Sequence, residues 1–407
     1  MSEILQTVEK QIKWRHEFFM EIKDMKKKGF MQHIGLCFFG ALIALFAVTP
    51  CSTVDAVKKC DNRITKKTIT KKTNKKCDKR ITKKTTGKKT HIIVGFNGQS
   101  ENDEDVQTLK KALVKKIVAG FILYPRNIVN PKQLQSLIAF LKKDAPHAHV
   151  CIDQEGGTVE RLKTEHGFTH SGAMLAAADY TSIEQARQYH ERAAKEMKDI
   201  GITWVLGPVA DVNINPNCPI IGQRKRSFSD NPEIVAQYCN AIIDIYKKNG
   251  LKACLKHAPG HGSSLTDSHL GFTDTSKTWI QQEELIPFCR CVKKNPDVAI
   301  MMAHVFNDTL DPKFPASMSK KTIDMMNDAL KKVGVRRMPV YMADAYEMKA
   351  ISNEYTPKKF LERCKKIGMN YVFIFCQDTL NAAPGVAVYK KGYSLKQFLT
   401  EDLDSKF

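Results

Sequence analysis

A chain of 407 residues with 43% hydrophobic content can bury a sizeable core, as one large domain or two ordinary ones. A formal charge of +21 would suit a polyanion-binding protein, but the excess is local. Lys58 to Lys89 holds 15 Lys or Arg against 2 Asp, a net +13, which leaves +8 for everything else. Twelve cysteines in a chain this long do not describe a small disulfide scaffold.

In chain order, the basic stretch Met25 to Phe30 (MKKKGF) leads into an apolar run, Ile34 to Val48, and then into small residues. Val54-Asp55-Ala56 is a candidate cleavage site, and the order is that of a secretory signal. The run is short for a transmembrane helix. Residues 1–56 are therefore expected to be an N-terminal extension with a signal peptide or membrane anchor, the true start being either Met1 or Met25. Export follows, to the periplasm or the outer face of the cytoplasmic membrane. Pro50 disfavours a lipid anchor on Cys51.

Residues 57–90 repeat themselves: CDNRITKKT at Cys60 to Thr68 returns as CDKRITKKT at Cys77 to Thr85. Lys and Thr dominate, so the segment reads as a disordered, self-repelling linker. It serves as a spacer or touches an anionic membrane or cell-wall polymer. Nucleic acid is a poor partner, since no aromatic is interleaved for base stacking. A Cys60–Cys77 disulfide is left open.

From His91 the texture changes to short apolar runs alternating with helical stretches. Strands are expected at 91–97, 120–124, 148–152, 202–207, 251–256, 297–303, 338–343 and 370–376, with amphipathic helices at 105–118, 182–199, 231–248 and 319–333. Eight strands alternating with helices predict a single (β/α)8 TIM barrel over 91–407. A doubly wound sheet would need a glycine fingerprint that is absent. Cys151, Cys254 and Cys376 fall in strand-like runs, where a thiol acts as a small hydrophobe.

In such a barrel the active site lies at the C-terminal ends of the strands. Polar residues collect there: Asp153-Gln154-Glu155-Gly156-Gly157 after strand three, Lys256-His257 on strand five, His304 after strand six and Asp344 on strand seven. The loop after strand five reads Pro259-Gly260-His261-Gly262, then Asp267-Ser268-His269. Three imidazoles, His257, His261 and His269, raise the question of zinc. Ala258-Pro259-Gly260 cannot form the helix that an HExxH site requires, so no metal is expected.

Lys256-His257-Ala258-Pro259-Gly260-His261-Gly262 followed by Asp267-Ser268-His269 resembles the signature of glycoside hydrolase family 3, in its β-N-acetylhexosaminidase branch. Ile152 to Gly157 with Arg161, Ile221-Gly222 with Arg226-Ser227-Phe228, Met302-Ala303-His304 and Ala343 to Met348 resemble the family's other strand ends. The resemblance covers about residues 91–380. It implies Asp344 as nucleophile, His269 as general acid/base and Asp267 as the residue orienting its imidazole. It also implies Asp153, Arg161, Arg226, Lys256 and His257 as sugar-binding groups, no cofactor, and terminal β-linked N-acetylglucosamine from a carbohydrate such as a peptidoglycan fragment as substrate. Arg224-Lys225 widens the arginine loop, so Arg224 competes with Arg226 for the sugar-contacting position. Ala258 and Tyr346 depart from the usual bulkier residues. The family's two-domain β-glucosidases carry the acid/base on a second domain, for which the roughly 30 residues after the last strand leave no room. Alternatives are a β-glucosidase or phosphorylase of the same family and a non-catalytic, wall-binding or membrane-tethered relic. A monomer is expected.

Overall fold

The computed structural model describes residues 89–375 and 394–403. The signal or anchor segment, Cys51, the Lys/Thr repeat with Cys60 and Cys77, and Cys376 lie outside the described residues. Among the described residues no helix is long and apolar enough to cross a membrane.

Eight parallel strands close into a barrel in sequence order: β1 (His91–Val94), β2 (Gly120–Leu123), β3 (His149–Ile152), β4 (Trp204–Val205), β5 (Lys252–Ala258), β6 (Ala299–Met302), β7 (Tyr341–Ala345) and β8 (Tyr371–Ile374). Pairing of His91 with Tyr371 through Val94 with Ile374 closes the ring. This is the expected (β/α)8 TIM barrel. Side chains alternate along each strand, so every strand has two apolar faces. Ile93, Ile122, Cys151, Trp204, Cys254, Met301, Met342 and Phe373 fill the interior. Their neighbours Ile92, Val94, Val150, Ile152, Leu255, Ile300, Ala343 and Val372 pack outward against the helices. Cys151 and Cys254 thus behave as the small hydrophobes expected.

The main helices are α1 (Glu104–Val114), α2 (Pro131–Lys142), α3 (Ile183–Ile200), α4 (Pro232–Lys248), α5 (Ile286–Lys294), α6 (Lys320–Lys332) and α7 (Pro357–Ile367). Most start on a polar cap that accepts a first-turn N–H: Asn130, Ser182, Asn231, Ser319 and Thr356. α1 stops four residues before its expected end at 118. Lys116 adopts φ 57° and the Ile117 N–H bonds the Ala112 carbonyl at 2.9 Å, closing the helix in a Schellman turn that no glycine announced. The linker boundary also shifts. Thr90 is buried and donates to the Met369 carbonyl at 2.7 Å, so it belongs to the barrel.

Candidate active site

Asp153 leaves the end of β3, and the turn that follows fixes what surrounds it. The buried Gln154 side chain accepts from the N–H groups of Arg161 at 2.9 Å and Leu162 at 3.0 Å, and donates to the Ser171 carbonyl at 2.8 Å. This folds 155–162 back so that Arg161 meets Asp153 at 3.5 Å. Gly156 allows the turn: its φ is +93°, and a Cβ there would sit 2.2 Å from the Leu175 carbonyl oxygen.

β5 brings in the cations. Its register against β6 shifts between Leu255 and Ala258, and the consecutive residues Lys256 and His257 both reach the site. Lys256 Nζ lies 2.7 Å from Asp153 Oδ1 and 2.6 Å from Glu155 Oε1. Arg226 donates to both oxygens of Glu155, at 2.8 and 2.9 Å, and to the Ile220 carbonyl at 3.0 Å. Its Nη2 is also 3.3 Å from His257 Nε2. Because His257 Nδ1 sits 2.7 Å from an Asp211 oxygen, Nδ1 carries the donated proton and Nε2 accepts from Arg226. The result is one bonded chain of side chains, Asp211–His257–Arg226–Glu155–Lys256–Asp153–Arg161. At Asp211, Arg226, Glu155 and Lys256 burial opposes ionisation, and the neighbours outweigh it. Burial raises the Glu155 carboxyl, but Arg226 and Lys256 hold it well below the usual range. Burial lowers Lys256, but Asp153 and Glu155 keep its ammonium above the ordinary value. Tyr124 Oη and Arg161 Nε, beside Asp153, are buried with no hydrogen-bond partner among the described residues.

The second half of the site is a carboxylate with three imidazoles near enough to act on it electrostatically. Asp344, half-buried on β7, accepts from the Ala345 N–H at 2.7 Å. Burial raises its carboxyl, but His304, His257, His269 and that N–H together hold it below the ordinary value. His304 braces it: Nε2 donates to the Ala345 carbonyl at 2.7 Å and Nδ1 is 2.6 Å from the Ser317 hydroxyl. His269 Nδ1 lies 2.8 Å from Asp267 Oδ1, which also accepts the His269 N–H at 2.9 Å. The tautomer is thereby set, and Nε2 of the partly exposed ring has no hydrogen-bond partner among the described residues. Burial raises Asp267; His269 and Arg224 bring it down below its usual value.

All eight residues singled out in the sequence have a place in this arrangement. Arg226, not Arg224, is the arginine buried in the network. Three further residues carry structure that sequence reasoning gave no role. Glu155 bridges the two cations. Asp211 accepts from His257 and from the His261 N–H at 2.8 Å. His261 bonds the hydroxyls of Ser264 and Ser268. Asp211 follows β4 as the other polar residues follow their strands, and that position was its one signal.

Residues 88–393 match the family described as the glycosyl hydrolase family 3 N terminal domain. Beta-hexosaminidase A of Pseudoalteromonas piscicida is 32% identical over 273 residues, 61% of this chain and 44% of that protein. A beta-hexosaminidase of Xanthomonas oryzae pv. oryzae is 34% identical over 218 residues, 51% of this chain and 63% of that protein. A solved glycoside hydrolase family 3 beta-N-acetylglucosaminidase from Paenibacillus sp. superposes with a TM-score of 0.58 at 28% identity, covering 70% of this chain and 53% of that one. The chain therefore spans between 44% and 63% of the lengths of these relatives. By a match that takes in three-quarters of its length and the whole of its barrel, this chain belongs to glycosyl hydrolase family 3.

Proposed function

We propose that the chain is a retaining exo-β-N-acetylhexosaminidase that removes terminal β-linked N-acetylglucosamine. The observation that carries the reading is a carboxylate held ionised, Asp344, within electrostatic reach of His269, whose Nδ1 is taken by Asp267 and whose Nε2 has no partner among the described residues. The printed names of the relatives, beta-hexosaminidase and beta-N-acetylglucosaminidase, supply the sugar class. The bonded network of Asp153, Arg161, Lys256, Arg226 and His257 offers charged donors and acceptors of the kind that orient sugar hydroxyls.

In the first step an Asp344 oxygen attacks the anomeric carbon. The glycosidic bond breaks with its electron pair on the leaving oxygen, which takes the proton from His269 Nε2. Asp267 stabilises the imidazolium that supplies it. In the second step water attacks the anomeric carbon, loses its proton to His269 Nε2, and the carbon–Asp344 bond breaks to free the carboxylate. Two groups about 5–5.5 Å apart suffice for this double displacement. Neither step calls for a metal or cofactor. The apolar run 34–48 and the basic linker support an exported or surface-tethered enzyme acting on peptidoglycan fragments.

The test is release of 4-nitrophenol from its β-N-acetylglucosaminide and its β-glucoside by the full chain and its Asp344→Asn variant. Preference for the acetamido sugar, lost in the variant, is the expected outcome. Preference for the glucoside would overturn the substrate, and full activity in Asp344→Asn would overturn the nucleophile.

A further inference from the structure

The loop that carries Asp267 and His269 is not anchored by its own apolar side chains. Leu265 is 66% exposed, Leu270 57% and Phe272 63%. A loop with such side chains in water must be fixed by polar contacts if one imidazole nitrogen is to stay in place. Those contacts are present. Ser268, between the two residues of the dyad, is fully buried, and its hydroxyl lies 2.9 Å from His261 Nε2. His261 Nδ1 lies 2.8 Å from the Ser264 hydroxyl, and its backbone N–H donates to Asp211 Oδ1 at 2.8 Å. From the other side, the N–H groups of Lys349 and Ala350 donate to the carbonyls of His269 and Ser268 at 3.3 and 3.2 Å. Lys349 and Ala350 follow the strand that bears Asp344, so the acid/base loop is docked on the nucleophile's own element.

His261 is only 2% exposed, and both its ring nitrogens are occupied by hydroxyls. It has no face for a sugar. A neutral imidazole satisfies the two hydroxyls, donating through one nitrogen and accepting through the other. The same Asp211 that binds His261 also binds His257 Nδ1, so one buried carboxylate ties the sugar-binding network to the acid/base loop.

We propose that His261 and Ser268 are positioning residues for the acid/base, the chain Asp211–His261–Ser268 setting where His269 Nε2 stands relative to Asp344. This rests on the reading of His269 as proton donor, and the leaving group separates the two. A phenyl glycoside needs protonation to depart, whereas a 2,4-dinitrophenyl glycoside leaves without it. Because kcat/KM reports the first irreversible step, loss of base function in the second step does not enter.

In the full chain, Ser268→Ala is expected to lower kcat/KM about tenfold or more on phenyl β-N-acetylglucosaminide and by about twofold or less on the 2,4-dinitrophenyl analogue. His261→Gln, which can satisfy only one of the two hydroxyls, should show the same split. A uniform fall across both substrates, or none, in a chain whose wild type is active overturns the proposal alone. Inactivity of the wild-type chain on both glycosides overturns the acid/base reading and the proposal with it. Amide hydrogen exchange over residues 264–272 gives a readout apart from turnover: it should rise in Ser268→Ala, and unchanged exchange contradicts the brace.

Discussion

Replacing Glu155 by Gln tests whether the charge network is a structural requirement as well as a binding surface. Glu155 bridges Lys256 Nζ at 2.6 Å and Arg226 at 2.8 and 2.9 Å, and the three side chains are 6%, 3% and 6% exposed. Lys256 keeps Asp153 at 2.7 Å in the variant, whereas Arg226 loses its one carboxylate partner and keeps only neutral acceptors, the Ile220 carbonyl, the His257 ring and the new amide oxygen. Breaking a buried ion pair from one side costs roughly 3–5 kcal/mol, and Gln retains one acceptor oxygen, so the lower end, about 3 kcal/mol, is expected. At about 2 °C or more per kcal/mol for a domain of this size, the melting temperature should fall by roughly 6 °C.

The pH dependence has a definite sign. The folded-state pKa of Glu155 is depressed, so its contribution is fully present above the unfolded value of about 4.3 and is lost as pH falls through the folded value. Melts of wild type and Glu155→Gln at about pH 6 and about pH 8 should therefore show the same gap. Kinetically, KM should rise more than kcat falls if Lys256 and Arg226 bind the sugar as proposed. A variant that melts within about 2 °C of wild type, or a gap that changes between those two pH values, would refute the reasoning.

Two further predictions concern stability. Burial pushes His149 and His261 down to about 4 and His190 to about 3, so across the interval from about 6.5 down to about 4.5 the unfolded chain binds protons that the folded one does not. Burial also lowers His91 and His304, in the same sense, while Glu160 and Glu284, pushed up to about 7 by burial, act in the opposite sense. Urea denaturation should then show unfolding free energy falling with increasing steepness as pH drops from about 6 to about 4.5, and a flat profile would contradict it. Gly262→Ala would place a Cβ 1.7 Å from the Val212 carbonyl oxygen, a backbone neighbour that cannot step aside. A loss of about 3 kcal/mol or more is expected, visible as a lower melting temperature, and an unchanged melt would show that the loop has room.

The barrel was legible because each strand wrote its own short apolar run, and the Asp267–His269 contact, expected from the family resemblance, joins residues only two apart. Contacts made across long sequence separations were not legible. Asp211 meets His257 over 46 residues and Glu155 meets Arg226 over 71. Each carboxylate's place after a strand is the one local signal, and it does not name the partner. β4 shows the difficulty at one place: its regular pairing is only Trp204–Val205, so Asp211 falls in what reads as loop although it closes the same face of the barrel. In sequence His261 is one of three nearby imidazoles, which raised the question of zinc and left His261 without a role. The sequence does not show that both His261 nitrogens are already taken by serine hydroxyls.

Double displacement through Asp344 is tested most directly by trapping the intermediate. The full chain would be incubated with an N-acetylglucosaminyl donor bearing an activated leaving group and a ring fluorine that slows the second step, then digested and analysed by mass spectrometry. A mass increase of one fluorinated glycosyl unit on the peptide containing Asp344 is the predicted result. A label on a different carboxylate, or turnover with inversion at the anomeric carbon and no label, would contradict it.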